Sequence, residues 1–439
     1  MIDPMTSPLL ADLYEYTMLQ TYIERNMDQT AVFEFFVRKL PEKRNFLVAA
    51  GLDQALDFLE SMKFGEEELG LLSQRFPAHV IEYLEKFRFT GDVHAMPEGT
   101  LFFRNEPILR VTAPLPQAQL VESRLMNLLN FETLVASKAA RSVLIAGGRL
   151  LVDFGLRRAH GAEAGLLAAR ASFIAGFSGT ATVPAGLLYG IPLYGTMAHS
   201  FVQAHESEIA SFEHFAISHP GSTLLIDTYD VEEAAMKVVA LAGRGLSIGS
   251  VRIDSGDLAR HAENVREILD DAGLRHISIF ASGNLDETRL EDLLDAPISG
   301  FGIGTSLVTS GDCPWLDCAY KLQEYGGRPC RKRSEGKATW PGRKQVFRNY
   351  DMDGKMKQDV LTLDDDTQEG CPLIVPVMKD GKRLSDRTPL HEMRKKTLEN
   401  YETLPESLRR LESAPYSVEI SKRLAELAES VDREGFMNP

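Results

Sequence analysis

From residue 150 onward the chain repeats one pattern. Short apolar runs begin at 150 (LLVDFG), 171 (ASFIAGF), 191 (IPLYGT), 223 (TLLIDT), 248 (IGSVRIDSG), 277 (ISIFASG) and 300 (GFGIGT). Helical patterns such as VEEAAMKVVALAGRG and HAENVREILDDAGL lie between them. Strands alternating with helices at roughly 20–30-residue spacing build parallel βα units, since a parallel connection needs a crossover long enough to hold a helix. Nearly every run ends in Gly, Asp, Ser or Thr, and polar strand ends are how a (β/α) barrel assembles a site from its loops. Seven runs, one short of a complete barrel, predict an irregular or open one. A doubly wound sheet is the alternative, and periodicity alone does not separate the two.

The flanks read differently. ADLYEYTMLQTYIER has helical apolar spacing, TAVFEFFVRKL reads as a strand, and VAAGLDQALDFLESM as an amphipathic helix. DVHAM, TLFFR and PILRVTA are short strands separated by turn signals, followed by a long helical pattern from QAQLVES to SVLIAG. These predict an α+β lobe over 1–145, the α/β barrel over 146–325, and a small C-terminal region over 326–439. The last opens with RKRSEGKATWPGRKQVFR (331–348), seven Lys/Arg against one Glu, which reads as a solvated face or as a source of Lys337 or Arg343 for phosphate.

At 439 residues, 44% hydrophobic and 25% charged, the chain has the composition of a globular enzyme with more than one domain. A net charge of -15 argues against a nucleic-acid partner, whose phosphates demand neutralisation. Anionic substrates would need arginines gathered locally against that field. No apolar run approaches a membrane span, and the opening MIDPMTSPLLADLYEYTM lacks a secretory pattern. Cys313, Cys318, Cys330 and Cys371 form no C-x-x-C pair. Reduced thiols and a cytoplasmic location are expected.

One end of the expected barrel gathers Asp153, Phe154 and Arg157; Thr180; His199; Asp227; Arg252 and Asp254; Ser282, Gly283 and Asn284; and Gly304 with Thr305. Arginines, carboxylates and Gly-rich turns around one histidine suit a phosphorylated substrate with a divalent cation, because glycine lets backbone N–H groups approach phosphate oxygens. The residues alone leave bland readings open. His199 could be a packed ring, Phe154 plain core, and Asp254 and Asp227 helix caps. His205 and Glu206 read as structural.

In order along the chain, DLYEYTM, FEFFVRKLP, PEGTLFFRNEPILRV, DFGLRRAHG, GFSGTATV, GTMAHS, LLIDTYD, VRIDSGD, FASGNLDE, GFGIGT and GKATWPGRKQV resemble the markers of nicotinate phosphoribosyltransferases, nearly end to end. The resemblance implies the irregular α/β barrel of type II phosphoribosyltransferases. It also implies formation of nicotinate mononucleotide and pyrophosphate from nicotinate and 5-phosphoribosyl-1-pyrophosphate, coupled to ATP hydrolysis, in NAD salvage. It further implies that Mg²⁺ accompanies the phosphates and that the enzyme works as a homodimer with shared sites. By the same resemblance His199 is the residue that ATP phosphorylates. Arg252 and Asp254 hold ribose and pyrophosphate. Phe154, Arg157, Thr180 and Tyr14 of the partner subunit serve nicotinate, with Arg157 also near phosphate. Ser282, Gly283, Gly304 and Thr305 cradle the 5-phosphate.

Two positions depart from the family's usual pattern. Ala181 stands in GTAT where members usually carry GTSN, and Asn284 stands in SGNLDE where they carry SGDLDE. In nicotinamide-using relatives the Ala181 position is an aspartate, which would repel a nicotinate carboxylate, so alanine favours the acid. Nicotinamide phosphoribosyltransferase and a catalytically degenerate ligand-binding relative are the alternatives. A metal-dependent barrel hydrolase is a third, and it lacks the H-x-H pair it needs.

Overall fold

The protein is described here from a computed structural model covering residues 6–437. The first five residues of the opening segment lie outside the described residues. The chain divides into two compact units, residues 1–137 with 315–439 and residues 138–314. The sequence rhythm placed its divisions at 145/146 and 325/326. Residues 315–325 group with the N-terminal segment because Cys318–Tyr325 pairs antiparallel along Thr30–Val37.

In the second unit six parallel strands form one sheet: β1 (Leu150–Asp153), β2 (Gly179–Thr180), β3 (Ser222–Leu225), β4 (Ile248–Ile253), β5 (Ser278–Ala281) and β6 (Gly300–Ile303). Their spatial order is β2-β1-β6-β5-β4-β3. Read from the other edge this is 3-4-5-6-1-2, the cyclic order of a barrel cut once, between β2 and β3. A doubly wound sheet would instead reverse direction from a central strand. The order therefore decides for an open half-barrel.

The cut falls where one expected strand did not form. IPLYGT contributes a single bridge, Leu193 beside Thr180. Pro192 has no N–H to give a ladder, and Gly190 and Gly195 flank it. ASFIAGF is also not a strand. Its first four residues close the helix Ala162–Ile174, and the strand of that unit is the two-residue β2. The preceding EAGLLAAR favours helix, and a short apolar run does not distinguish buried helix from buried strand. The other five runs form strands as expected.

Crossover helices begin at acidic caps. Asp230, Asp257 and Asp286 each accept a backbone N–H three residues on, from Glu233, Arg260 and Arg289. The cap after β4 is thus Asp257, which leaves the Asp254 side chain outside that role. After β3 the cap is Asp230, which does the same for Asp227.

The first unit is built on a seven-stranded antiparallel sheet. Thr30–Val37 lies between Cys318–Tyr325 and Pro107–Pro114. A smaller sheet carries Lys344–Tyr350 against Met356–Leu363. The basic run 331–348 is largely absorbed here. Arg343 pairs with Glu324 at 2.7 Å, Lys344 with buried Glu34 at 2.7 Å, and Arg348 Nε donates to buried Asp359 at 2.9 Å. Of the two suggested phosphate ligands, Lys337 stays exposed. Among the described residues no helix is long and apolar enough to cross a membrane.

Candidate active site

The carboxyl ends of β1, β3, β4, β5 and β6 converge on one cluster. Arg252, near the end of β4, is half-buried, and its guanidinium carbon lies 5.9 Å from the centre of the Phe154 ring. Its Nε is buried without a hydrogen-bond partner. Burial pulls its pKa below the ordinary guanidinium value; Asp254 and Asp227 oppose that shift and Arg157 adds to it. A desolvated cation with an unused N–H is out of balance until an anion arrives.

Asp254 is held from three sides. Its Oδ1 accepts from the Ser282 hydroxyl, its N–H donates to Asp227 Oδ2 at 3.1 Å, and its Oδ2 lies 4.0 Å from His199 Nε2. Asp227 also accepts from the Ser255 hydroxyl, while its Oδ1 is buried and unpartnered. The His199 ring is 41% exposed, and its Nδ1 lies 3.1 Å from the Thr228 hydroxyl. Thr228 and the bracing function of Asp227 are not legible in motif order. The signal that could have found them is their place at the polar end of the TLLIDT run, just past β3.

Two glycines are dictated by close approach. A Cβ on Gly302 would stand 2.5 Å from the Phe154 ring, so the aromatic wall requires glycine on the neighbouring strand. A Cβ on Gly283 would meet the Asp254 carbonyl oxygen at 1.9 Å, and its φ is +98°. Asn284 follows at φ +50°, a left-handed conformation that Asn tolerates better than most residues. The SGN turn is therefore a backbone device as well as a change of charge.

Phe154, His199, Arg252, Asp254, Ser282, Gly283 and Gly304 thus meet in one cluster, Gly304 through the Phe154 carbonyl. Arg157, in the short turn Leu156–Arg158, and Thr305 are exposed beside it. Thr180 is different. It is fully buried, and its hydroxyl donates to Asp153 Oδ2 at 2.7 Å. Its side chain is turned into the fold, toward Asp153. Tyr14 belongs to the other unit, where it is half-exposed on the helix Leu13–Glu24 beside Glu122, and burial raises its phenol pKa. His205 Nδ1 donates to the carbonyl of Phe201 in the preceding short helix at 2.7 Å, with its ring against Phe201.

Behind Phe154 and Phe280 the inner face of the half-barrel encloses a cavity of about 170 Å³, lined further by Tyr194, Thr223, Ser250 and Ser278.

Known proteins match along nearly the whole chain. Family models match residues 9–130 (nicotinate phosphoribosyltransferase N-terminal domain), 150–326 (nicotinate phosphoribosyltransferase family) and 367–428 (nicotinate phosphoribosyltransferase C-terminal domain). Nicotinate phosphoribosyltransferase pncB2 of Mycobacterium tuberculosis is 46% identical over 426 residues, covering 95% of this chain and 92% of the relative. The nicotinate phosphoribosyltransferase of Bacillus subtilis is 37% identical over 90% of this chain and 81% of its own. The crystal structure of human nicotinic acid phosphoribosyltransferase superposes with a TM-score of 0.85 at 29% identity, covering 96% of this chain and 99% of that one. With a half-barrel in cyclic order, an unpaired arginine at its mouth and this likeness from end to end, the chain belongs to the nicotinate phosphoribosyltransferase family.

Proposed function

We propose that the cluster at the mouth of the half-barrel joins nicotinate to 5-phosphoribosyl-1-pyrophosphate, with Arg252 receiving the diphosphate and His199 linking the reaction to ATP. The overall activity, a nicotinate phosphoribosyltransferase of NAD salvage, follows from the family; the assignment of steps to residues is the proposal. The observation that carries it is Arg252, a half-buried guanidinium with an orphaned N–H beside two carboxylates and an aromatic face.

The difficulty of the reaction is charge. As pyrophosphate leaves C1, negative charge grows on the leaving group and positive charge on the ribosyl ring. Arg252 and Arg157 stabilise the first, and Asp254 the second. Ser282, Gly283, Gly304 and Thr305 hold the 5-phosphate. The pyridine nitrogen carries no proton at neutral pH, so no general base is needed; holding it in line does the work. Phe154 stacks on one face of the ring and Tyr14 of the partner subunit on the other, each contact worth about 0.5–1.5 kcal/mol beyond area burial.

The oxygen donors fit a divalent cation. Asp227 Oδ1 is buried and unpartnered next to Asp254, and magnesium is commonly held by one or two carboxylates plus substrate phosphates. Bound there, Mg²⁺ would neutralise diphosphate charge. His199 attacks the γ-phosphorus of ATP, the bond to the bridging oxygen breaks, and ADP leaves. The nitrogen not engaged by Thr228 is Nε2, which faces Asp254. Water later returns the phosphoryl group as phosphate.

A homodimer is supported by apolar exposure. The helix Val183–Tyr189 shows solvent Val183 (57%), Leu187 (82%) and Leu188 (65%), with Leu193 beside them. Leu187→Asp with Leu188→Asp is expected to yield a monomer by light scattering and to reduce activity in parallel. A cytoplasmic setting fits four cysteines that form no disulfide.

The direct test measures nicotinate mononucleotide with and without ATP, against nicotinamide and quinolinate as competing bases. Nicotinate is expected to be preferred by a wide margin. Ala181, exposed at the turn after β2, leaves room for a carboxylate. Ala181→Asp is expected to narrow the nicotinate-to-nicotinamide ratio of kcat/KM by about tenfold, the scale of one unfavourable charge contact. An unchanged ratio would remove this position from base selection.

A further inference from the structure

Asp153 is the most fully buried carboxylate near the site, and none of the steps above uses it. It ends β1, in ladder register with Thr180 of β2 and Ile303 of β6. Its Oδ1 accepts the Gly155 N–H at 2.8 Å and its Oδ2 accepts the Thr180 hydroxyl at 2.7 Å. Its backbone carbonyl accepts the Ala181 N–H at 2.8 Å. The Thr180 hydroxyl in turn accepts the Thr182 N–H at 3.0 Å, and the Thr180 carbonyl accepts the Tyr194 N–H at 3.0 Å. No cation pairs with Asp153 among the described residues, and burial lifts its pKa to about 6.

A strand end needs no buried carboxylate for its ladder, and burying one is costly. What this one does is hold two turns at once. On one side is the turn that follows Phe154 and leads to Arg157. On the other is the Thr180–Thr182 turn, which presents Ala181 and fixes the segment running through Tyr194 toward His199. Both turns border the place assigned to the pyridine ring.

We propose that Asp153 is a positioning residue, acting with Thr180 as a latch that sets the width of the slot between the Phe154 wall and the Ala181 turn. The inference rests on the reading that Phe154 and Ala181 flank nicotinate. It gives Thr180 a function different from direct contact: its hydroxyl is the bolt between the turns, which is why a hydroxyl is required where the side chain meets no solvent.

The test is steady-state kinetics on the intact enzyme for Asp153→Asn, Thr180→Val, Thr180→Ser, the double variant D153N/T180V, and Phe154→Ala. Losing the latch is expected to raise KM for nicotinate about tenfold, the worth of one hydrogen bond to a charged group, in either D153N or T180V. KM for 5-phosphoribosyl-1-pyrophosphate should stay within twofold, roughly the noise of such a comparison, because Arg252 and the 282–283 turn do not hang on this bond. T180S, which keeps the hydroxyl, should restore the wild-type KM. The double variant should be no worse than the worse single one, since both remove the same bond.

A rise in both KM values with a matching fall in kcat, or additive effects in the double variant, would overturn the latch. A wild-type nicotinate KM in T180V would do the same. Phe154→Ala separates the layers. If it leaves the nicotinate KM untouched, the placement of the ring is wrong. If it raises that KM while T180V does not, only the latch fails. Melting temperatures keep the comparison fair, and nearly isosteric T180V carries the conclusion should D153N fail to fold.

Discussion

His199→Ala is expected to abolish ATP hydrolysis and the ATP stimulation of nicotinate mononucleotide formation, while slow ribosyl transfer persists at high substrate. The two activities separate because they use different atoms. In the proposed mechanism transfer at C1 depends on Arg252 and Asp254, whereas His199, with Nδ1 3.1 Å from Thr228 and Nε2 4.0 Å from Asp254, supplies the nucleophile toward ATP. A phosphohistidine would place new negative charge beside Asp254, two residues along β4 from Arg252, and charge added there can alter loop order and substrate affinity. Removing the imidazole removes that coupling and leaves the diphosphate site standing. The check is a phosphate-release assay beside a mononucleotide assay on the same preparation. ATP stimulation that survives in the variant would take His199 out of this function.

Arg252→Ala is expected to lower kcat/KM for 5-phosphoribosyl-1-pyrophosphate by about 10²–10³-fold, the scale of losing one preorganised charge donor in a dry site. Arg252 is only partly accessible and its Nε is unpartnered, whereas the neighbouring Arg157 is exposed and its charge is screened, so it does not replace Arg252. Arg252→Lys should recover part of the loss, because an ammonium keeps the charge without the planar fork that grips a diphosphate. Nicotinate KM should move less than diphosphate KM. A variant within a few times wild type would mean that the anion is held elsewhere.

The two tests bear on one geometry. Asp254 is the shared neighbour, fixed by Ser282 and by Asp227 through backbone and side chain. It is near enough to His199 to respond to its phosphorylation and lies two residues from Arg252 along β4. That adjacency is the physical route by which ATP chemistry could alter affinity for the diphosphate.

Much of this arrangement was legible before any coordinates. The apolar runs ending in polar residues placed Phe154, Arg252, Asp254 and Gly304 at strand ends, because side-chain alternation and the βα repeat leave little choice there. The order of motifs carried the family. Two runs misled, ASFIAGF and IPLYGT, since a short apolar stretch is compatible with helix, strand or loop until its partners are known. For Thr180 the resemblance implied a place among the nicotinate residues, and only the fold shows that its buried hydroxyl bonds to Asp153.

By itself the sequence determined the βα rhythm and the chemistry gathered at the strand ends, because these follow from local periodicity. The tertiary structure alone decided that the strands follow a cyclic order opened between β2 and β3, that residues 315–439 join the N-terminal unit, and which carboxylate braces which turn. Those facts depend on pairings between residues distant in the chain, and such pairings are chosen by the burial and hydrogen-bond satisfaction of the whole fold, which no local stretch encodes.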